Sequence, residues 1–385
     1  MKRILAAALG VLLLAALPLS AGAATLAEAG KSAVLMDVTT GTVLYEHNSH
    51  EALAPASVTK VMTMLLIMEA VDSGKISLAD NVTASEAAAA KGGSQIYLKV
   101  GETMRVSDML KSIAVSSAND CACAMAEHIS GSESAFVEAM NQRAKELGMQ
   151  DTHFVNCTGL DDDDSARLHR TSAYDIALMS RELLKNHPDI KKYTTIWMDT
   201  VRNGTFGLSN TNKLIRFYPG ATGLKTGYTS GAGYCLSASA QKEGMELIAV
   251  VMGARTSQTR NAACKELLDY GFANFAVVTP EPEALPQVAV RLGKQAQVPA
   301  RMAESAGMLI EKSQRSGITT EISLKESVAA PVTRGQTLGS LAVKSGEQIL
   351  RQIPLVAAED VEKLTTGDIF LAVLRKAAMA KEGTE

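Results

Sequence analysis

The sequence predicts an α/β fold in which an antiparallel sheet and a helical cluster form a sandwich, followed by a small all-β domain and a C-terminal amphipathic helix. Three observations predict this order. β-rich runs lie near both ends of residues 24–278, helical periodicity fills the middle, and a proline-rich segment precedes short alternating strands. A chain of 385 residues is long enough for more than one domain.

Residues 1–23 have the pattern of a secretory signal peptide. A cationic start at Lys2 precedes the apolar run Ile4–Leu17, and a small residue, Ala23, marks the expected cleavage site. The alternative is an uncleaved membrane anchor, which the short apolar run and Pro18 disfavour. We therefore expect an exported protein.

Residues 24–278 carry the elements of the sandwich. The runs SAVLMDV and GTVLYEH flank the turn signal TTG and predict a hairpin. Helical spacing then predicts five helices, over Ser57–Ser73, Val106–Ala114, Asn119–Ile129, Ser134–Leu147 and Ser172–Leu184, the last opening on a capping box at Ser172 and Asp175. YCLSASA and ELIAVVMGA predict strands, and Gln258–Tyr270 predicts a helix. Strands at both ends of this part are expected to pair in one sheet.

The segment TPEPEALP, residues 279–286, has the composition of a linker. Beyond it VAVRLG, ITTEISL and SLAVKSG are short and alternating, and predict a small all-β domain over residues 285–358.

The last predicted element is an amphipathic helix over residues 361–382. Apolar and basic residues recur at helical spacing in it, namely Ile369, Phe370, Val373, Leu374 and Ala377 with Arg375, Lys376 and Lys381. This pattern predicts a helix that lies on an anionic membrane surface, and the alternative is a helix that caps the β domain.

Composition argues against several function classes. A net charge of −3 and 4% aromatic residues predict no nucleic-acid partner. The cysteines are odd in number and lack zinc-site spacing, so we expect small buried residues and assign no metal and no required disulfide: Cys121, Cys123, Cys157, Cys235 and Cys264. The acidic run Asp161–Asp164 lacks the alternating ligands of a calcium loop and is expected to be a solvated connection.

Three short motifs carry the chemistry. The chain contains Ser57-x-x-Lys60, then Ser117-x-Asn119, then a Lys-Thr-Gly triplet at 225–227. Each alone is a weak signal, because Ser57 and Asn119 could be helix caps and the triplet a turn. The three in this order indicate one active site of an acylating serine enzyme.

The first motif pairs a nucleophile with a base. Ser57 is predicted at a helix start, where exposed N–H groups favour developing negative charge, and Lys60 lies one turn later on the same face. An apolar setting and a second cation at Lys225 disfavour the Lys60 ammonium. Lys60 can then accept the serine proton at neutral pH.

The other two motifs are expected to form the remaining walls of the cleft. The Ser117 hydroxyl can pass a proton, and the Asn119 carboxamide can hold a substrate amide. Lys225 supplies positive charge, Thr226 a hydroxyl, and Gly227 clearance for a ligand near the backbone. We expect this triplet at a strand edge where an extended peptide can pair.

With these motifs the chain resembles the serine-type D-alanyl-D-alanine carboxypeptidases, the low-molecular-mass penicillin-binding proteins, and is most similar to the type found in endospore-forming bacteria. The segments KSAVLMDVTTGTVLYE, GGSQIYLKVGETMRVSDML, FVNCTGLDDDD, TSAYDIALMSRELL and VVMGARTSQTRN are also similar. The resemblance runs over Ala33–Phe275 and continues more weakly to the terminal helix. It implies a β-lactamase/transpeptidase-like fold.

The resemblance implies removal of the terminal D-alanine from peptidoglycan pentapeptide stems through an acyl-enzyme, without a cofactor, at the extracytoplasmic face of the membrane or in the cell wall. It also implies covalent inhibition by β-lactams. It makes Ser57 the nucleophile, Lys60 the general base, Ser117 the proton relay and Asn119 a ligand of the substrate amide.

The resemblance further implies that Lys225 and Thr226 hold the substrate carboxylate with help from Arg260, for which Arg255 is the alternative. It places the oxyanion hole at the N–H groups of Ser57 and Tyr228. Some family members have histidine where this chain has Tyr228, and Ser-Ala-Asn replaces the commoner Ser-Gly-Asn.

Two other functions share parts of this pattern. A β-lactamase would carry the same trio, but no convincing glutamate motif for deacylation lies between Ser117 and Lys225, and the β domain is an addition to that fold. A non-catalytic wall-binding scaffold would have no need of Ser57, Lys60, Ser117 and Lys225 together. We therefore favour the carboxypeptidase.

Overall fold

A computed structural model describes residues 30–162, 164–279, 282, 284–304 and 307–381. The predicted signal peptide at 1–23 lies outside the described residues. So do the side chains of the terminal basic residues, Arg375, Lys376 and Lys381.

The described helices follow the predicted segments closely. Their bounds are α1 Lys60–Asp72, α2 Glu86–Ala89, α3 Val106–Ser116, α4 Asn119–Ser130, α5 Glu133–Glu146, α6 Ala173–Asn186, α7 Lys191–Thr194, α8 Leu214–Phe217, α9 Ser257–Asn274 and α10 Thr366–Lys381. Short 3₁₀ segments lie at Ala56–Thr59, Asp164–Leu168, Pro188–Ile190 and Lys312–Gly317.

The described strands include both predicted pairs and several short ones that the sequence analysis did not predict. Their bounds are β1 Ser32–Asp37, β2 Val43–His47, β3 Asn81–Thr83, β4 Thr103–Arg105, β5 Met198–Val201, β6 Phe206–Ser209, β7 Ala221–Thr229, β8 Gly233–Lys242, β9 Met245–Ala254, β10 Phe275–Val278, β11 Gln287–Arg291, β12 Gln297–Met302, β13 Met308–Glu311, β14 Ile318–Leu324, β15 Ser327–Ala329, β16 Thr337–Ser345 and β17 Gln348–Ala357.

The main sheet joins the two ends of the first domain, as predicted. Its strand order is β2-β1-β9-β8-β7, and β1 pairs antiparallel with β9, Val34 opposite Val250. Successive β9 residues enter different cores: Ile248 and Val250 pack with the central helices, whereas Leu247 and Ala249 pack with α9. The sheet is therefore covered on both faces, and β2 and β7 are its two edge strands.

Helix α1 is the centre of the helical cluster. Nine of its thirteen residues are buried, because the helix is apolar on nearly all sides. One of the nine is a charged residue, Lys60. The helix packs against α6 and α4 and thereby fixes the position of the first motif.

One predicted cap is only half formed. The Ser172 side chain accepts the Asp175 N–H at 3.1 Å and caps α6. The reverse bond of a capping box is replaced, since the Asp175 carboxylate accepts from Asp151 N and Thr152 Oγ1 instead. A complete capping box occurs at Thr256 and Thr259, at the start of α9.

The C-terminal part contains a six-stranded sheet in the order β14-β16-β17-β12-β11-β15. Strand β10, which the sequence analysis assigned to the first domain, pairs with β13. Helix α10 begins at Thr366 rather than at 361, because Val361 and Lys363 bridge to Val332 and Gly293. In the part of the chain that the structure describes, no helix has the length and apolarity needed to cross a bilayer.

Candidate active site

The Ser57 turn, residues 55–59, lies between a loop and the edge strand β7. Ala56 has a left-handed backbone with φ +49°, an uncommon conformation for a residue with a side chain. Gly159, with φ +80°, supports the turn so closely that a Cβ there would lie 1.8 Å from the Ala56 carbonyl oxygen. Only glycine fits this position, so the close packing of the loop against the Ser57 turn depends on Gly159.

Gly227 supports the turn from the other side. A Cβ at Gly227 would lie 2.6 Å from the Pro55 carbonyl oxygen and 3.0 Å from Val58 N. The sequence predicts that this glycine provides clearance for a ligand. The structure shows clearance for the chain itself, because β7 approaches the Ser57 turn at this point, and the clearance for a ligand stays a prediction.

Lys60 makes the contacts expected of a serine-activating base. Its Nζ lies 2.9 Å from Ser57 Oγ and 2.8 Å from the Thr158 carbonyl oxygen. The side chain is fully buried, and burial lowers its pKa to about 7. A lysine with that pKa is substantially neutral at physiological pH and can accept a proton.

Lys225 and Arg260 form a second buried cationic group. Burial lowers the pKa of Lys225 well below its usual value, and the charges of Lys60 and Arg260 lower it further. Its Nζ donates to the Thr226 carbonyl at 2.8 Å, and Arg260 Nη1 donates to the Cys235 carbonyl at 3.3 Å. Arg255, the alternative to Arg260, is exposed.

The second motif lies where α3 ends and α4 begins. Ser117 has φ +64° and is buried. Asn119 Nδ2 donates to the Gly92 carbonyl at 2.7 Å, whereas its Oδ1 is buried without a hydrogen-bond partner. Because buried polar atoms are normally paired, this free acceptor indicates a position for a ligand donor.

A threonine pair connects the second and third motifs. Thr226 Oγ1 donates to Thr211 Oγ1 at 2.7 Å, and Thr211 N donates to the Val115 carbonyl, two residues before Ser117, at 3.1 Å. Tyr228 lies beyond this link, 56% exposed, and its ring stacks on Tyr234 with centroids 4.3 Å apart. The structure therefore brings the three motifs next to one another.

Several residues that support the site carry no motif in the sequence and were not predicted. The buried Asp120 carboxylate accepts from the N–H groups of Ile96 and Leu98 at 3.1 and 3.0 Å. Asn156 Oδ1 accepts from Gly159 N at 2.7 Å and holds the loop under Lys60. Asp120 directly follows Asn119, but nothing in the local pattern shows which backbone groups it binds.

His169 is a further buried residue near the Ser57 turn, although no histidine was predicted at the site. Its Nδ1 accepts from Val155 N at 3.1 Å, so Nε2 carries the proton and donates to Thr59 Oγ1 at 2.8 Å. Burial lowers its pKa to about 4. The neutral ring therefore supports the turn through Thr59 rather than acting on Ser57.

The five cysteines are buried, as predicted, and burial raises the pKa of each thiol. Among the described residues, Glu69, Glu182 and His187 lie close enough to hold a metal ion. Arg143 already donates to both glutamates, at 2.7 and 2.6 Å, so a metal ion would have to compete with its guanidinium for these carboxylates.

The site combines a serine that is hydrogen-bonded to a buried lysine with a neighbouring edge strand that carries a second lysine, next to a sheet covered on both faces. These features define a serine hydrolase of the penicillin-binding protein fold. The chain matches the D-alanyl-D-alanine carboxypeptidase family over residues 20–256, and the penicillin-binding protein 5 C-terminal domain over residues 280–363. The chain belongs to this carboxypeptidase family, whose members act on cell-wall peptidoglycan and bind β-lactams.

Individual relatives agree with this assignment. The D-alanyl-D-alanine carboxypeptidase DacF of Bacillus subtilis is 48% identical over 344 residues, 88% of this chain and 87% of that protein. DacC of Escherichia coli is 34% identical over 86% of this chain and 84% of its own length. The resemblance to the type found in endospore-forming bacteria is thus confirmed.

Solved structures agree as well. Penicillin binding protein 5 from Haemophilus influenzae superposes with a TM-score of 0.75 at 31% identity, over 87% of this chain and 98% of that one. Penicillin-binding protein D2 from Listeria monocytogenes, in its ampicillin-bound form, superposes with a TM-score of 0.58 at 31% identity, over 63% of this chain and 98% of that one. These comparisons favour the carboxypeptidase over the β-lactamase and the scaffold.

Proposed function

We propose that the chain removes the terminal D-alanine from peptidoglycan pentapeptide stems through an acyl-enzyme on Ser57. The observation that carries the proposal is the 2.9 Å contact between Lys60 Nζ and Ser57 Oγ, together with a Lys60 pKa lowered to about 7. Neutral Lys60 takes the proton as Ser57 Oγ attacks the carbonyl carbon of the penultimate D-alanine.

The developing oxyanion is held by the N–H groups of Ser57 and Tyr228. Ser57 lies in the first turn of a helical segment, where N–H groups lack intrahelical acceptors, and Tyr228 lies on an edge strand. Ser117 passes the proton to the leaving D-alanine nitrogen, and water then hydrolyses the ester. Asn119 accepts a substrate N–H at its unpartnered Oδ1.

The substrate carboxylate is held by Lys225, Thr226 and Arg260. Lys225 and Arg260 are both buried, and burial together with the charge of Arg260 lowers the pKa of Lys225. A substrate carboxylate between the two side chains would favour the charged form of Lys225 and offset the repulsion. Gly227 leaves room for the turn that carries Ser57, so that the carboxylate site and the nucleophile keep a fixed separation.

A direct assay tests this function. The purified protein is incubated with an acyl-D-Ala-D-Ala peptide and free D-alanine is measured, with Ser57→Ala as the inactive control. Intact-mass analysis after penicillin treatment should show one adduct on the wild type and none on Ser57→Ala. Absence of D-alanine release together with absence of an adduct would overturn the proposal.

We also propose that the protein is exported and lies at a membrane surface through α10. The N-terminal pattern supports export. On α10 the apolar residues Ile369, Phe370, Val373 and Leu374 are 42%, 63%, 61% and 50% exposed. An uncovered apolar helix face next to basic residues in the sequence fits the interface of an anionic bilayer.

A further inference from the structure

Arg202, in the turn that joins β5 to β6, binds a loop beside the active site although it belongs to none of the three motifs. Its guanidinium forms a bidentate pair with the Glu102 carboxylate, with Nε 2.6 Å from Oε1 and Nη2 3.1 Å from Oε2. Nη1 donates to the Ile96 carbonyl at 2.7 Å, and Nη2 donates to the Tyr97 carbonyl at 3.2 Å. One side chain thus binds three groups of the segment that precedes β4.

Residues 92–98 form a loop that lies against the start of α4 and holds Asn119. Asn119 N donates to the Ser94 carbonyl, and Asn119 Nδ2 donates to the Gly92 carbonyl, both at 2.7 Å. Among the described elements, none lies between α2 and β4. The polar backbone groups of the 92–98 loop therefore depend on neighbouring elements for their partners.

The Ile96 peptide groups are bound from two sides. The Asp120 carboxylate accepts from Ile96 N at 3.1 Å, and Arg202 Nη1 donates to the Ile96 carbonyl at 2.7 Å. Asp120 follows Asn119 on α4, whereas Arg202 comes from the hairpin of β5 and β6. The 92–98 loop is thus held between the second motif and this hairpin.

The hairpin that carries Arg202 has its own contacts to the helical cluster. Lys111 Nζ, on α3, donates to the Thr200 carbonyl at 3.0 Å. The Phe206 ring lies next to the guanidinium, with its centroid 5.2 Å from Arg202 Cζ, and the Arg202 side chain is only 23% exposed. Because a planar guanidinium bound on several sides keeps one geometry, Arg202 can hold the 92–98 loop in one position.

The orientation of the Asn119 carboxamide depends on the 92–98 loop. One end of a carboxamide donates and the other accepts. Because the Gly92 carbonyl binds Nδ2, the acceptor Oδ1 is the end that remains for a ligand. A shift of the loop would release Nδ2, and the carboxamide would then be free to turn and present a donor instead.

We propose that Arg202 is a positioning residue for this reaction. By binding the carbonyl groups of Ile96 and Tyr97 it fixes the 92–98 loop, and the loop keeps Asn119 Oδ1 directed at the N–H of the penultimate D-alanine. This step rests on the proposed function, in which Oδ1 accepts a substrate N–H. Loss of Arg202 should therefore affect a substrate that offers this N–H and spare one that lacks it.

The test uses two soluble substrates that differ at that N–H alone. One is Nα,Nε-diacetyl-lysyl-D-Ala-D-Ala. The other has D-lactate in place of the penultimate D-alanine, so that an ester oxygen replaces the N–H while the amide bond that is cleaved stays the same. For the wild type we expect kcat/KM, measured by release of D-alanine, to be about 10-fold higher for the peptide, because the ester leaves Oδ1 facing another acceptor.

Variants assign this preference to Arg202. Arg202→Gln should lower kcat/KM about 10-fold for the peptide and less than about 3-fold for the ester, because only the peptide uses the positioned acceptor. Arg202→Lys should keep part of the preference, since an ammonium can donate to one carbonyl but cannot form the bidentate pair. In an Asn119→Ala background, Arg202→Gln should change the peptide rate no further. Arg105→Gln, at an exposed arginine of β4, is the matched control and should keep the wild-type values.

The outcomes separate this inference from the proposed function. Equal losses for the two substrates in Arg202→Gln, an unchanged rate on the peptide, or a further loss in the Asn119→Ala background would overturn the role of Arg202 and leave the carboxypeptidase intact. Equal wild-type rates on the two substrates would overturn it as well, because Asn119 then does not bind this N–H. No D-alanine from either substrate would overturn the proposed function itself. If Arg202→Gln fails to form the penicillin adduct, Arg202→Lys supplies the same comparison.

Discussion

The Ser57 turn and helix α10 differ in how far their side chains are buried by the rest of the protein. At the turn, Gly159 and Gly227 allow backbone from two distant segments to touch residues 55–58, and Lys60 is fully buried beneath it. On α10, Phe370 and Val373 are more than half exposed, at 63% and 61%. The first region is shaped by contacts within the chain, and the second presents a surface to something else.

This difference shows where substitutions should act. Around Ser57, any added atom or lost charge changes chemistry or stability, because the backbone has no room to adjust. On α10, removal of apolar atoms leaves the fold unaffected and changes only the affinity for an external surface.

Lys60→Met should lower the rate of acylation by about 10²- to 10⁴-fold, the usual contribution of a general base. The same variant should be at least as stable as the wild type, because it removes a buried group whose charged form is costly in the folded state. Penicillin acylation kinetics and the thermal unfolding midpoint measure the two effects. Lys75→Ala, an exposed lysine after α1, is the control.

A Lys60→Met protein that acylates within a few-fold of the wild type would show that another group takes the proton. A variant that unfolds would show that the Lys60 contacts to Ser57 and Thr158 hold the turn together, which is a structural role rather than a chemical one.

The acylation rate should rise with pH and level off above about 7, because Lys60 must lose its proton to act as a base and burial lowers its pKa to about 7. Below that pKa the rate should fall about tenfold per pH unit, as the neutral fraction does. Stopped-flow acylation between pH 5 and 9 measures the profile. A midpoint near the ordinary lysine pKa would contradict the assigned burial effect.

Gly159→Ala should destabilise the protein by about 2–5 kcal/mol, because a Cβ would enter the Ala56 carbonyl and also disfavour the left-handed backbone. The matched control is Gly148→Ala, since Gly148 has φ +76° but no atom within 4 Å of its Cβ position. The control isolates the backbone cost at about 1–2 kcal/mol. Denaturant unfolding of both variants gives the difference, and equal losses would refute the close packing of loop against turn.

The sequence predicts the motifs and the main elements because they are local. Ser57 and Lys60 are one turn apart, and the pairing of β1 with β9 follows from β-rich runs at both ends of the first domain. For Gly227 the sequence predicts clearance for a ligand. Only the fold shows that Pro55 also lies against this glycine. Contacts between segments that are distant in sequence cannot be predicted from local sequence patterns.

The supporting residues illustrate the same limit. Three of them bind groups that are distant in sequence. Asp120 accepts from Leu98 N, His169 contacts the Thr59 hydroxyl, and Thr211 accepts from the Thr226 hydroxyl, at separations of 22, 110 and 15 residues. None of these three residues belongs to a short sequence motif that would indicate a catalytic or binding role. Their positions depend on packing, and no local pattern contains that information.

The smallest effect on chemistry is expected from the terminal helix. Removal of residues 366–385 preserves the bond from Leu364 N to the Leu292 carbonyl, so the β domain should keep its fold. The truncated protein should cleave a small soluble D-Ala-D-Ala peptide at the wild-type kcat/KM and yet no longer sediment with vesicles of anionic lipid.

A full-length Phe370→Ser, Leu374→Ser variant separates loss of the apolar face from loss of the helix, since both side chains are at least half exposed. It should also fail to bind, because the apolar face enters the interface while nearby basic residues can only meet headgroups. Equal vesicle binding by all three proteins, or loss of soluble-peptide activity on truncation, would show that α10 belongs to the fold, and the contrast with the Ser57 turn would then disappear.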